Sequence, residues 1–191
     1  MQRVSLVFAV AFLTTCVFGI LTADEPAAQV QIVKFDAGAQ PKCAQQADLK
    51  PFEHNGKFGY KNKAGETVVP ARYIIAKCFL ETGIAAVADE NSWAYIDRHG
   101  NVVLRPFIFD NGPDYFAEGL ARFVKDGKMG FFDIQGRVVI DARFDWVEPF
   151  SNGRAKFCTG CKKQLMGEHW TMTGGNWGVI DRQSSIVSPP Q

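Results

Sequence analysis

A chain that repeats itself buries its apolar side chains by packing copy against copy, and this sequence carries one pattern four times between residues 49 and 187. Lys57-Phe58-Gly59-Tyr60 is followed by Gly65 and Val68-Val69-Pro70-Ala71-Arg72-Tyr73. Trp93-Ala94-Tyr95-Ile96-Asp97 is followed by Gly100 and Val102-Val103-Leu104. Met129-Gly130-Phe131-Phe132-Asp133 is followed by Gly136 and Val138-Val139-Ile140-Asp141-Ala142-Arg143-Phe144. Trp177-Gly178-Val179-Ile180-Asp181 is followed by Ser184, Ile186 and Val187. The small second residue falls at 59, 94, 130 and 178, in steps of 35, 36 and 48. A second marker, apolar-x-x-Gly, ends at Gly83, Gly119 and Gly153 with steps of 36 and 34. The long last step is therefore an insertion of about fourteen residues, near 162–175, between the first two strands of the fourth unit.

Each unit reads as three short antiparallel strands, so the expected class is all-β, with four tandem units of about 35 residues at about 49–79, 80–115, 116–149 and 150–191 in a closed or stacked array. Asn55-Gly56 and Asp126-Gly127 signal tight hairpins. Asp97-x-x-Gly100 and Asp133-x-x-Gly136 suit a turn in which the carboxylate accepts turn amides and glycine takes positive φ. Phe58, Trp93, Met129 and Trp177 share one register, and Tyr60, Tyr95 and Phe131 share another two residues on. Residues two apart on a strand face the same way, so these are expected to be repeat core, with one face of each sheet buried. Arg72 and Arg143 are expected at the surface as partners for turn acids.

At Asn176-Trp177-Gly178-Val179-Ile180-Asp181 and Trp93-Ala94-Tyr95-Ile96-Asp97-Arg98-His99-Gly100 the pattern resembles the WG-repeat (KWG-repeat) family. The chain departs from it where Ala94 replaces a glycine, Asn62 an aspartate and Ser184 a glycine. The resemblance implies an all-β repeat array in bacterial or related extracytoplasmic proteins, used as a binding surface, and brings no catalytic residues.

Unit four stops before the aromatic-Asp pair that unit three has at Phe144-Asp145. Gln31-Ile32-Val33-Lys34-Phe35-Asp36 resembles that missing strand, so residues 24–48 are expected to supply one capping strand, with 30–36 closing the array beside the last unit or capping an open stack. Ahead of it, Arg3 precedes eighteen uncharged residues, Val4 to Leu21, and Asp24-Glu25 end the run. Residues 1–23 thus read as a secretory signal peptide, with an uncleaved anchor or lipid attachment at Cys16 as alternatives. All three place the remainder outside the cytoplasm, secreted or periplasmic. Without Arg3 the charge is 20 basic against 20 acidic residues, which gives no broad field for nucleic acid. No membrane is expected as a partner except through the alternative readings of an uncleaved anchor or a lipid.

Outside the cytoplasm the even set Cys43, Cys78, Cys158 and Cys161 favours disulfides, with three connectivities open. The Cys158-Thr159-Gly160-Cys161 spacing permits a local bridge that leaves Cys43 to Cys78. A redox pair and a zinc site completed by His169 are the competing readings of the same spacing. His54, His99 and His169 show no metal-pair spacing, and neither a nucleophile elbow nor a phosphate loop occurs, so no catalytic residue, metal or cofactor is expected. The insertion, with Lys162, Lys163, His169 and Trp170, is the candidate binding loop, because loops that interrupt a regular scaffold often carry specificity. A tolerated surface excursion is its bland alternative. The expected function is a non-enzymatic module that binds a protein or cell-envelope component. A thiol-disulfide protein using Cys158 and Cys161, or a glycan-binding module, are the rivals.

Overall fold

The computed structural model describes residues 41–45 and 47–188. The leader reading of 1–23, the lipid reading of Cys16 and the closing strand at 30–36 lie outside these residues.

The described chain is built of strands and contains no helix. The first sheet holds β1 (Leu49–His54), β2 (Lys57–Asn62) and β3 (Thr67–Tyr73) in that order. The second has the order β4 (Ile75–Ala76), β5 (Ala85–Ala88), β6 (Trp93–Ile96), β7 (Val102–Leu104). A two-stranded pair, β8 (Ile108–Phe109) and β9 (Gly112–Pro113), leads to the third sheet of β10 (Leu120–Lys125), β11 (Lys128–Asp133) and β12 (Val138–Phe144). Next come β13 (Trp146–Val147), β14 (Arg154–Thr159) and an inserted hairpin of β15 (Lys162–Met166) and β16 (His169–Thr173). After β17 (Asn176–Asp181) and β18 (Ile186–Ser188), the fourth sheet has the order β13-β14-β17-β18. All pairings are antiparallel, and the sheets are separate and do not form a closed barrel.

The local turns explain why the same sheet recurs. Asn55 and Gly56 (φ 51° and 73°) and Asp126 and Gly127 (52° and 73°) make the two-residue hairpin turns their sequence announces. In the second, third and fourth units Oδ1 of Asp97, Asp133 and Asp181 accepts the amides two and four residues on. Asn62 does the same for Ala64 and Glu66, since an amide oxygen accepts as a carboxylate does. Ser184 occupies the left-handed position (φ 65°) that glycine fills at 65, 100 and 136. Its hydroxyl and carbonyl oxygens both accept from the Arg143 guanidinium, which offsets the cost of that conformation.

This contact corrects the expectation for the two arginines. Arg72 donates to the Gly100 carbonyl (2.7 Å) and Arg143 to Ser184 (2.6 Å to Oγ), each reaching the turn of the following unit rather than an acid. Each guanidinium also lies over its neighbouring ring, Tyr73 at 5.1 Å and Phe144 at 5.0 Å.

Three buried clusters each bridge two consecutive sheets. Tyr60, Val69 and Tyr73 of the first sheet meet Ala85, Val87, Ala94 and Ile96 of the second. Ala86 and Tyr95 of the second meet Ala121, Phe123 and Phe132 of the third. Met129, Phe131 and Ile140 of the third meet Val147, Ala155, Phe157 and Ile180 of the fourth. The motif thus has a direction: Tyr60, Tyr95 and Phe131 face the next sheet, while the following residue, Ile96, Phe132 or Ile180, faces the previous one. Both faces of the two inner sheets are buried, where one buried face each was expected. The end sheets show the same rule by its exceptions. The first has polar Lys61 where the others have Ile96, Phe132 and Ile180, and the last has half-exposed Val179 where the others have a buried ring.

Of the expected repeat core, Tyr60, Tyr95, Phe131 and Met129 are buried, while Phe58, Trp93 and Trp177 are half-buried. The chain also passes between sheets. After Tyr73 the Ile74 amide donates to Ala88, and after Phe144 the Asp145 amide donates to Cys158, so β4 and β13 become the first edge of the following sheet. Pro106 and Phe107 do likewise against Phe123 and Arg122.

Equivalent motif positions should therefore differ in energetic cost. Phe131→Ala, between two sheets, should lower unfolding stability by about 3–5 kcal/mol, and Val179→Ala by about 1 kcal/mol or less, in urea titrations. Equal losses would contradict the directional stack.

Candidate functional site

Two places break the repeat, and they meet. In the second unit the third strand stops at Leu104, so no counterpart of Arg72 or Arg143 precedes Phe107, whose amide donates to Arg122 as those of Lys77 and Glu148 donate to Ala86 and Lys156. In the fourth unit the β15–β16 hairpin extends beyond β14 and β17. Between them lies an open groove of about 340 Å³ lined by Phe107, Ile108, Trp146, Lys163, Trp170 and Met172 among others.

Three rings form its wall. Phe107 stands edge-on to Trp146 (5.4 Å between centroids, 85°), and Trp146 edge-on to Trp170 (5.1 Å, 86°). Beneath them the Arg122 guanidinium lies 4.7 Å from the Phe107 ring and 5.5 Å from Trp146. Arg122 is held by a buried bidentate pair with Asp114, 2.8 Å at both oxygens, and also donates to the Val147 carbonyl. Both side chains are nearly inaccessible, at 5% and 3% exposure, so removing either would strand a charge at a cost of about 3–5 kcal/mol.

At the far end of the row the Lys163 ammonium sits 4.2 Å above the Trp170 ring. Strand alternation divides the candidate loop in two. Lys163 pairs across the hairpin with Met172, and both line the groove with Trp170. Lys162 and His169, one residue out of phase, belong to the opposite, exposed face.

The foot of the hairpin is fixed at residues 158–161 and 174–175. Cys158 is bonded to Cys161, and Cys43 to Cys78, which is the local-bridge connectivity among the three open ones. A Cβ on Gly175 would fall on the Cys161 amide and 2.7 Å from the Thr159 carbonyl, so glycine alone fits this crossing. Asp145 ties the foot to the stack: one oxygen accepts from the Lys128 ammonium, the other from the Gly160 amide (2.6 Å). Lys128 first, then the Gly160 amide, holds the Asp145 carboxyl below the usual range.

The zinc reading does not fit this geometry. The two sulfurs are joined to each other, and His169 lies on the far face of the hairpin; among the described residues no cluster of three His, Cys, Asp or Glu could hold a metal ion. The redox reading meets buried sulfurs, with Cys158 at 0% and Cys161 at 7% exposure. A second, larger hollow of about 550 Å³ lies beside β8 and β9, lined by Trp93, Phe109, Tyr115, Lys77 and Asp110 among others. The Trp93 indole donates to the Asn111 carbonyl there. Phe107, Trp146 and the Arg122–Asp114 pair were not singled out from sequence.

A depressed carboxyl stabilises the fold above its unfolded value, about 3.9, and that contribution is lost as pH falls through the lower folded value. The hydrogen-exchange protection factors of residues 160–175 should therefore fall below about pH 4, ahead of those of the sheets. In Asp145→Asn the protection of this segment should already be reduced at neutral pH and lack that acid step; an unchanged acid step would contradict the anchoring role.

The model of the WG containing repeat family matches residues 58–93, 93–128 and 129–160, just over half of the chain. Each match begins in a middle strand, β2, β6 or β11, and runs into the first strands of the next sheet. The third ends at the foot of the inserted hairpin. No curated protein and no solved structure was found to match. Three consecutive matches, on the sheets and hand-over strands described above, make this chain a member of the WG containing repeat family.

Proposed function

We propose that this chain is an extracytoplasmic, non-enzymatic binding module whose ligand, a protein or cell-envelope component, occupies the groove between Phe107 and the β15–β16 hairpin. One observation carries the reading. The regular stack is interrupted twice, and both interruptions contribute rings to a single half-open row, Phe107–Trp146–Trp170. Aromatic side chains fixed on rigid elements are the usual anchors of an interface, since they bury much area for little conformational entropy. Sheets supply the rigidity, and the Cys158–Cys161 bridge, Gly175 and the Asp145 contacts fix the hairpin angle.

Location outside the cytoplasm is supported by the apolar leader-like segment and by the pairing of Cys43 with Cys78 and Cys158 with Cys161. A structural rather than catalytic role for Asp97, Asp133 and Asp181 is supported by the two turn amides that each carboxylate accepts. Formal net charge of +1 gives no basis for capture of nucleic acid. The glycan alternative called for co-planar exposed rings, whereas neighbouring rings here stand at 85° and 86°, and Phe109 meets Tyr115 at 72°.

The test is affinity recovery from envelope extract with the native protein, Trp170→Ala, and a variant lacking residues 162–174. A partner held by the groove should be recovered by the native protein and lost from both variants, with a truncation penalty of about 2 kcal/mol, roughly 30-fold. Equal recovery of every partner by all three proteins would contradict the assignment.

A further inference from the structure

The groove offers more than aromatic surface, because its charges are unequally spent. Among the described residues lining it, two carry charge, Asp145 and Lys163. Both Asp145 oxygens are engaged, one by the Lys128 ammonium and one by the Gly160 amide. Among the described residues no carboxylate forms an ion pair with Lys163; its ammonium rests on the Trp170 ring at 4.2 Å. A ring face is a weak partner for an exposed cation, so a carboxylate delivered from outside can compete for it. The lining thus presents apolar rings with one uncompensated positive charge at the rim.

Size and ring geometry narrow the occupant. About 340 Å³ is at the small end of ligand sites and accommodates one or two side chains rather than a cofactor-sized molecule. The groove is open, with exposed Ile108 and Val124 along one side and the hairpin along the other, so a chain can continue out of it. Sugars stack flat on ring faces. Here the Trp170 face is covered by Lys163, and each ring turns its edge to the next. Edge-to-face packing is the arrangement in which an additional apolar or aromatic side chain extends the row.

We propose that the groove is a docking site for an extended acidic peptide segment of another protein, in which an aromatic or large apolar residue enters the row beside Trp170 and an adjacent Asp or Glu pairs with Lys163. This rests on the groove being the binding site, and goes further by naming the chemistry of what enters it. The electrostatic part steers and orients, while the buried side chain supplies most of the affinity. Binding weakens with salt, as an exposed ion pair requires.

The test is selection from a displayed random heptapeptide library on the full native chain, on Lys163→Glu and on Trp170→Ala, with sodium alginate as a polyuronate control. Lys163 and Trp170 are exposed, so both variants should keep the fold, which circular dichroism verifies. On the native protein, peptides pairing an aromatic or large apolar residue with Asp or Glu should be enriched. On Lys163→Glu the charge preference should invert to Lys or Arg, and on Trp170→Ala the enrichment should disappear. Enrichment that needs Trp170 but shows no acidic bias, or no inversion in Lys163→Glu, overturns the acidic-peptide assignment while leaving the groove as a site. Peptide enrichment indifferent to Trp170, or neither peptide enrichment nor Trp170-dependent alginate binding, overturns the groove itself. Alginate binding that needs Trp170, without peptide enrichment, overturns the peptide in favour of an acidic glycan.

Discussion

Strand alternation carries the whole structure. Adjacent side chains on a strand point to opposite faces, so the motif's two successive apolar residues cannot enter one core. Tyr95 packs on Phe132 of the next sheet at 5.3 Å, while its neighbour Ile96 lies in the cluster shared with the previous sheet. A unit with large apolar residues at both positions buries both only between two others, which is why the pattern recurs and why its ends differ. Lys61 at the first sheet and Val179 at the last are where that requirement is relaxed.

Neighbouring sheets are joined by backbone as well as by packing. The third strand of each of the first three units ends by handing its chain to the edge of the next sheet, at Ile74, Phe107 and Asp145. Arg72 and Arg143 reinforce this from the side, each stacked on its own unit's ring and bonded to the next unit's turn. The second unit, whose third strand stops at Leu104, has no counterpart of these arginines. Beyond it the Phe107 ring turns toward Trp146, over the Arg122–Asp114 pair, and the stack opens into the groove at this point. A shortened third strand in one unit and an inserted hairpin two units later thus act on the same space.

Much of this was legible from residue spacing, because the repeat fixes turns and strand registers locally. Asn55-Gly56, Asp126-Gly127 and the Asp-x-x-Gly turns form as their composition dictates. The insertion also lies where the interval of 48 puts it, between β14 and β17. Long-range partners were not legible. Period-two alternation tells which residues share a face but not whether a second sheet covers the other face, so the double burial of the inner sheets was missed. Nothing in the spacing pairs Arg122 with Asp114, which lies in a segment without repeat equivalents. The same limit divided the candidate loop: Lys162, Lys163, His169 and Trp170 are neighbours in sequence, yet hairpin register puts Lys163 and Trp170 in the groove and the other two behind it.

The claim most exposed to refutation is the direction of the motif. Proton–proton Overhauser contacts between assigned rings in solution read it directly. The Tyr95 ring should show contacts to Phe116 and Phe132, and the Tyr60 ring to Phe79, with no contact between Tyr95 and Tyr60. Contacts linking Tyr60, Tyr95 and Phe131 to one another would place the equivalent rings in one common core and contradict the stack.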